Sequence, residues 1–309
     1  MGIIIENSTF IEFHISSFKI NGVVLFAGVL LIYLSSVFGN VTITILVCLV
    51  SKLHTPMYFF LCNLAVQDIV FVSSTLPKLM VVTFTGDTSI SFNGCITQMF
   101  MFILCVTAEF FLLTFMAYDR YVAICRPLCY FLIMTQRVCI LFASLSWIFG
   151  AVYSLVYSLL IHNLSFCNVN DINHFYCDLK AVLRESCDDV TYIKDSFPVV
   201  SVFLGILPFV LILISYGFII RTILKIHSTA GRAKTFSSCS SHLIIVIIFC
   251  GTLISMYVKP DSQDNQELEK VMSLLYTAVV PMLNPLIYSL RNKDVKNILL
   301  LDYKYQAFS

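Results

Sequence analysis

Runs of apolar residues recur seven times along the chain, each near the roughly 20 residues that a helix needs to cross a bilayer. They lie at about 22–50, 57–82, 94–124, 138–161, 196–224, 236–258 and 268–290. Short polar loops separate them, apart from a longer one at 162–195. Residues 1–21 are polar enough to predict a short exposed tail, without the basic start and apolar core of a cleaved signal. After the last run, Val295, Ile298 and Leu299 fall on one face with basic residues opposite, as in a helix lying in the membrane interface. The pattern predicts an all-α membrane protein. Its seven-transmembrane helix bundle spans 22–290, between an outer tail (1–21) and a short amphipathic helix and tail (291–309).

Composition narrows this further. Charged residues make up 12% of the chain and hydrophobic ones 59%, with a mean hydropathy of +0.90. A soluble domain carries about 25% charged residues, so a chain this apolar is expected to have the lipid bilayer as a partner, and no nucleic acid. The net charge of +1 is informative only once it is divided between the two sides. With the N-terminus outside, the cytosolic set holds Lys52, Arg120, Arg126, Arg137, Arg221, Lys225, Arg232, Lys234, Arg291, Lys293, Lys296 and Lys304, against only three acids. Positive-inside therefore orients the chain with its N-terminus out and its C-terminus in. Asn7 then begins a usable glycosylation sequon, Asn7-Ser8-Thr9.

The third apolar run contains one acid, Glu109, and ends on Asp119-Arg120-Tyr121. Eleven residues at about 100° each place Glu109 and Arg120 nearly on one helix face, about 16 Å apart. Asp68, Asn40 and Asn284 reach a similar depth on three other helices. Two neighbouring carboxylates cannot cheaply both be ionised. Asp68 and Glu109 therefore either hold a sodium ion, the single candidate metal and the only cofactor, or form a protonated hydrogen-bond network. Arg120 beside Asp119 is either a functional pair or a charge that snorkels to the interface. Prolines 208, 281 and 285 lie within spans, where each leaves a carbonyl unsatisfied and permits a kink.

Four cysteines fall outside under this topology: Cys95, Cys167, Cys177 and Cys187. They allow three pairings, among which spacing does not choose. The scattered histidines, the lack of a phosphate loop or His-Glu-x-x-His motif, and serines without an evident base offer no catalytic set. An enzyme is not expected.

Five blocks, in order and spacing, then identify a resemblance. They are Leu53–Phe60 (LHTPMYFF), Met116–Cys125 (MAYDRYVAIC), Ser215-Tyr216, Lys234–His242 (KTFSSCSSH) and Pro281–Tyr288 (PMLNPLIY). Along nearly its whole length the chain resembles an odorant receptor of the rhodopsin-like (class A) G-protein-coupled receptors. The resemblance implies a small-molecule odorant and an olfactory-type stimulatory G protein as partners, cAMP signalling, and a multi-pass place in the plasma membrane. It implies that Arg120 leaves Asp119 on activation to meet the G protein α subunit. Tyr121, Tyr216, His242, Asn284, Pro285 and Tyr288 belong to the same coupling machinery. It pairs Cys95 with Cys177 and Cys167 with Cys187, and it matches Asp68 and Glu109 to sodium-site positions. The implied ligand set is Phe102, Ile103, Val106, Thr107, Ser201, Leu204, Ile254, Tyr257, Leu274 and Thr277. With no lysine or arginine among them, that set favours a neutral, largely apolar ligand anchored by a few hydroxyls. A receptor for an internal metabolite outside olfactory tissue shares these features. A transporter or channel would need polar residues continuing to both faces, which the apolar flanks of Glu109 do not supply.

Overall fold

In the computed structural model of the protein, residues 12–16, 18, 21–166, 171–257 and 266–291 are described. Seven long helices carry the chain back and forth: α1 (Gly22–Leu49), α2 (Pro56–Thr85), α3 (Phe92–Cys125), α4 (Gln136–His162), α5 (Thr191–Leu224), α6 (Thr229–Tyr257) and a composite α7. The last is assembled from Gln266–Leu274, a π-helical turn Leu275–Val279, and Val280–Arg291. Six of these are long and apolar enough to cross a bilayer outright, and α6, bent by 48°, makes the seventh.

Polar caps, not the first apolar residue, decide where three of the helices begin, whereas α2 and α5 start without a side-chain cap. The Ser91 hydroxyl accepts from the Gly94 N–H and starts α3 at 92; Thr135 does the same for Val138 and starts α4 at 136. Ser228 accepts from Gly231 and carries α6 out to residue 229, seven residues beyond the apolar run. Each cap satisfies an otherwise orphan N–H of the first turn. At the other end of α2, Gly86 takes φ 77°, the left-handed conformation that stops the helix cleanly.

Proline shapes α7. In a regular helix the Pro281 ring would press on the Thr277 carbonyl, four residues back. The wide turn just before it avoids this, with the Val280 N–H bonding five residues back to Leu275 O. Pro285 cannot donate to the carbonyl of Pro281. Its ring seats instead against Gly39 of α1, where an added Cβ would come within 2.8 Å of the proline Cγ. Gly150 gives α4 a comparable close approach, since a Cβ there would lie 2.7 Å from the Leu104 carbonyl of α3. Pro77 and Pro198 are also carried inside α2 and α5.

Residues 12–15 are not the exposed tail expected from their polarity. They form β1 (Glu12–Ile15), the middle strand of a three-stranded sheet, antiparallel to β2 (Ser89–Ser91) and parallel to β3 (Asp171–Ile172). Phe13 and Ile15 are buried among Phe92, Phe166 and Ile172, while Glu12 and His14 alternate outward. Two alternating apolar positions sufficed because the neighbouring strands supply the ladder. A short helix, Leu179–Arg184, capped by Asp178, turns Leu179, Val182 and Leu183 down onto Met99, Ile103 and Ile193. The Cys95–Cys177 disulfide joins this lid to the top of α3. Cys187 is also disulfide-bonded. Its expected partner Cys167 lies outside the described residues, as do Asn7 and the amphipathic segment beyond residue 291.

Candidate functional site

Three groups of predicted residues fall at three depths of the bundle. The middle group is the carboxylate centre. Asp68 on α2 and Glu109 on α3 are both buried. The Asn284 amide donates to Asp68 Oδ2 at 2.8 Å, so α7 reaches α2. The Gln67 amide and the Tyr276 hydroxyl each donate to Glu109 Oε2 at 3.4 Å. The opposite oxygens, Asp68 Oδ1, Glu109 Oε1, Gln67 Oε1 and Asn284 Oδ1, are buried and accept no hydrogen bond from the described residues. An unsatisfied buried acceptor costs about 1–3 kcal/mol. A hard cation or added protons can supply the partners these oxygens lack.

Asn40 does not join this centre, contrary to the expectation from its depth. Its amide donates to the Pro281 carbonyl at 3.0 Å and to Ser36 O in its own helix at 3.0 Å. Gln67 and Tyr276 are the residues that depth alone missed. The first stands beside Asp68 in sequence, and the second reaches Glu109 only because the π turn carries it there.

The outer group is divided among the lid and neighbouring helices. Phe102 stacks on Tyr176 of the lid at 4.7 Å and meets Phe71 at 5.4 Å. With Leu274 it packs on the cluster that includes Phe175 and Tyr176. Ile103 faces the lid helix instead. Val106 packs on the inner core, Thr107 is buried, and Leu204 is half-buried. The Ser201 hydroxyl is 2.7 Å from the Tyr153 hydroxyl of α4. Thr277 is fully buried, and its Oγ1 meets no partner among the described residues. Ile254 and Tyr257 lie on α6, with side chains outside the described set.

Above them, Gln98 links lid to bundle: its carbonyl accepts from Cys177 N at 2.9 Å, and its amide donates to Ser74 O at 2.9 Å. His174 lies 3.3 Å from the Ser273 hydroxyl of α7. Burial pushes its imidazole down to about 4, aided by the Lys270 cation and opposed by Asp178. Lys270 is itself buried at this outer end of α7, one turn before Leu274.

At the end of α3 far from the lid, Arg120 donates to Asp119 Oδ2 from Nε at 3.0 Å and from a terminal nitrogen as well. Tyr130, from the loop after α3, donates to Asp119 Oδ1 at 2.8 Å. Both oxygens of this buried carboxylate are therefore engaged. His242 joins three helices. Its Nε2 donates to Leu113 O of α3 at 3.0 Å, which leaves Nδ1 to accept from the Tyr216 hydroxyl of α5 at 2.8 Å. Tyr121 meets the Phe218 ring at 5.7 Å. The Tyr288 side chain lies outside the described residues.

The sequence matches the olfactory receptor family over residues 29–302. It is 46% identical to human Olfactory receptor 13F1 over 274 residues, covering 89% of this chain and 86% of that one. It is 47% identical to rat Olfactory receptor 1 over 275 residues (88% and 87% covered) and to mouse Olfactory receptor 2B6 over 273 (88% and 87%). The helix bundle, the lid disulfide and this family match agree: the chain belongs to the olfactory receptor family and is a multi-pass membrane protein, not an enzyme.

Proposed function

We propose that the protein is a plasma-membrane odorant receptor that converts the binding of a small, neutral, largely apolar molecule into activation of a stimulatory heterotrimeric G protein and cAMP synthesis. The observation that carries this reading is the shape of α3. One continuous helix holds the lid disulfide at Cys95, the proposed ligand face from Phe102 to Thr107, Glu109 at mid-depth and the Asp119–Arg120 pair at its far end. A rigid rod of this kind transmits a small displacement at one end to the other.

In this reading the ligand lies against Phe102, Ile103, Val106, Thr107, Leu204 and Thr277, with the Thr277 hydroxyl, which has no partner among the described residues, as a polar anchor. Activation breaks the Asp119–Arg120 pair, frees the arginine for the G protein α subunit, and opens the Tyr216–His242–Leu113 tie that holds α6 inward. Asp68, Glu109, Asn284 and Gln67 hold a sodium ion in the resting state. Four buried oxygens that accept no hydrogen bond from the described residues support a cation there, and its charge would offset the two carboxylates.

An odorant panel against cells carrying a cAMP reporter tests the reading. A ligand-dependent rise that disappears in Arg120→Ala at equal surface level is expected. Full signalling by that variant, or ion flux without G protein, would overturn it.

A further inference from the structure

One side chain joins three separately built parts of the outer half. Gln98 of α3 is buried, and its two polar atoms serve different elements. Its carbonyl accepts from Cys177 N in the lid at 2.9 Å, and its amide donates to Ser74 O of α2 at 2.9 Å. That carbonyl lies in the turn of α2 that Pro77 interrupts. Cys177 is also the residue whose side chain is bonded to Cys95, so the lid meets α3 twice at one position, through sulfur and through backbone.

The spacing on α3 gives this arrangement an order. Cys95, Gln98 and Phe102 stand at i, i+3 and i+7 on one helix face. They meet, in turn, the Cys177 sulfur, the Cys177 N–H and the Tyr176 ring, the last stacked on Phe102 at 4.7 Å with 22° between planes. A disulfide has rotatable bonds on both sides of each sulfur, so by itself it holds a distance better than an angle. The hydrogen bond to Gln98 fixes the second point that an angle needs. Neighbouring lid N–H groups are satisfied from within the lid: His174 N on Ile172 O, Tyr176 N on His174 Nδ1 and Asp178 N on Tyr176 O. Cys177 N is the one in this run that takes its acceptor from the helix bundle.

We propose that Gln98 is a positioning residue that sets ligand selectivity: it fixes the angle at which Tyr176 covers Phe102 and ties that setting to α2. The inference rests on the odorant reading in placing the ligand against Phe102. A ligand entering there must part Phe102 from Tyr176. A lid held at one angle yields to few molecular shapes, whereas a lid that pivots on its disulfide yields to many.

Two measurements on the full-length receptor test this. Without ligand, amide exchange read by mass spectrometry should rise several-fold in Gln98→Leu for the peptide carrying Tyr176 and Cys177, with the peptides of α3 and α4 below the lid unchanged. Gln98→Glu, kept neutral by burial, retains an acceptor and an O–H donor and should restore the protection. At equal surface level, an odorant panel read by a cAMP reporter should show Gln98→Leu losing about tenfold in potency for the strongest agonist, with a narrower ratio between strong and weak agonists. A residue that only adds stability would not change that ratio. Gln98→Met serves should the leucine variant not fold. Unchanged lid exchange, an equal rise throughout the bundle, or an unchanged potency ratio would each overturn the proposal. A wild-type receptor silent to the whole panel would instead overturn the odorant reading, and the exchange measurement would still decide whether Gln98 sets the lid.

Discussion

The Asn40 amide donates to the Pro281 carbonyl at 3.0 Å, and that carbonyl needs it because Pro285, four residues on, has no N–H to offer. A proline that breaks one helix is thus repaired by a side chain of another, and Gly39 beside it lets the two backbones close. Asn40→Ala should leave the carbonyl buried without a donor and cost about 1–3 kcal/mol. Gly39→Ala should be at least as damaging, because the new methyl meets the Pro285 ring. Thermal unfolding of detergent-solubilised receptor measures both. An unchanged midpoint for Asn40→Ala would show that the amide is dispensable.

Asp119 is held by Arg120 on one oxygen and Tyr130 on the other. Tyr130→Phe removes one hydroxyl while keeping the ring. A hydrogen bond of about 0.5–1.5 kcal/mol, lost from the resting state alone, corresponds to a rise in basal cAMP of about 2- to 10-fold. Basal signalling at equal surface level reads this directly. A fall would mean that the hydroxyl supports the active state instead.

Sodium dependence separates the two occupants considered for the carboxylate centre. If a cation bridges Asp68 and Glu109, raising sodium at constant ionic strength should lower agonist potency, and Glu109→Gln should abolish that dependence. If added protons alone satisfy the four oxygens, sodium should act no differently from choline.

His174 gives the lid a pH dependence of known sign. Its folded-state value of about 4 lies below the ordinary value near 6.5, so the unfolded state binds the extra proton between them. Lid stability is complete above about pH 6.5 and falls as pH drops toward 4. His174→Gln should flatten the pH dependence over that window, as measured by thermal stability between pH 7.5 and 5. Asp178 and Lys270 face the imidazole and are unchanged in this comparison.

Phe13 has no exposed surface and sits 5.3 Å from Phe166 and 6.1 Å from Phe92. Phe13→Asp should detach β1 from the sheet, because a carboxylate there has no partner to offset its burial. Faster amide exchange at Ile15 and Ser16, which now bond to Thr88 O and Ile172 O, is the expected signature.

The seven spans were legible because apolar length is a direct physical demand of the bilayer. Their ends were less so: Ser91, Thr135 and Ser228 extend helices beyond the apolar runs by capping, a signal that hydropathy does not contain. β1 was hidden because Phe13 and Ile15 alone are too short a pattern, and only Ser89–Ser91 and Asp171–Ile172 make it a strand. The nearness of Asp68 and Asn284 follows from helix depth. Asn40 shares that depth but turns to a backbone carbonyl, whose vacancy depends on a proline in another helix. The resemblance places Ser201 in the ligand set; that its hydroxyl also meets the Tyr153 hydroxyl is a contact between helices that no local pattern announces.

Tyr276 has a consequence for how outside and inside communicate. Its ring lies 5.5 Å from Phe71, 6.3 Å from Phe102 and 5.7 Å from Phe249, and its hydroxyl rests on Glu109. A molecule that displaces Phe102 from beneath Tyr176 therefore changes the wall against which Tyr276 stands, and with it the donor that Glu109 receives. If a cation binds at the carboxylate centre and the proposed ligand binds against Phe102, the two are thermodynamically linked through Tyr276, and linkage is reciprocal. With both bound, the inner occupant would set the sensitivity to the outer one by the same factor that the outer ligand alters the hold on the inner. On the proposed function, one tyrosine would make the receptor a comparator of two chemical concentrations.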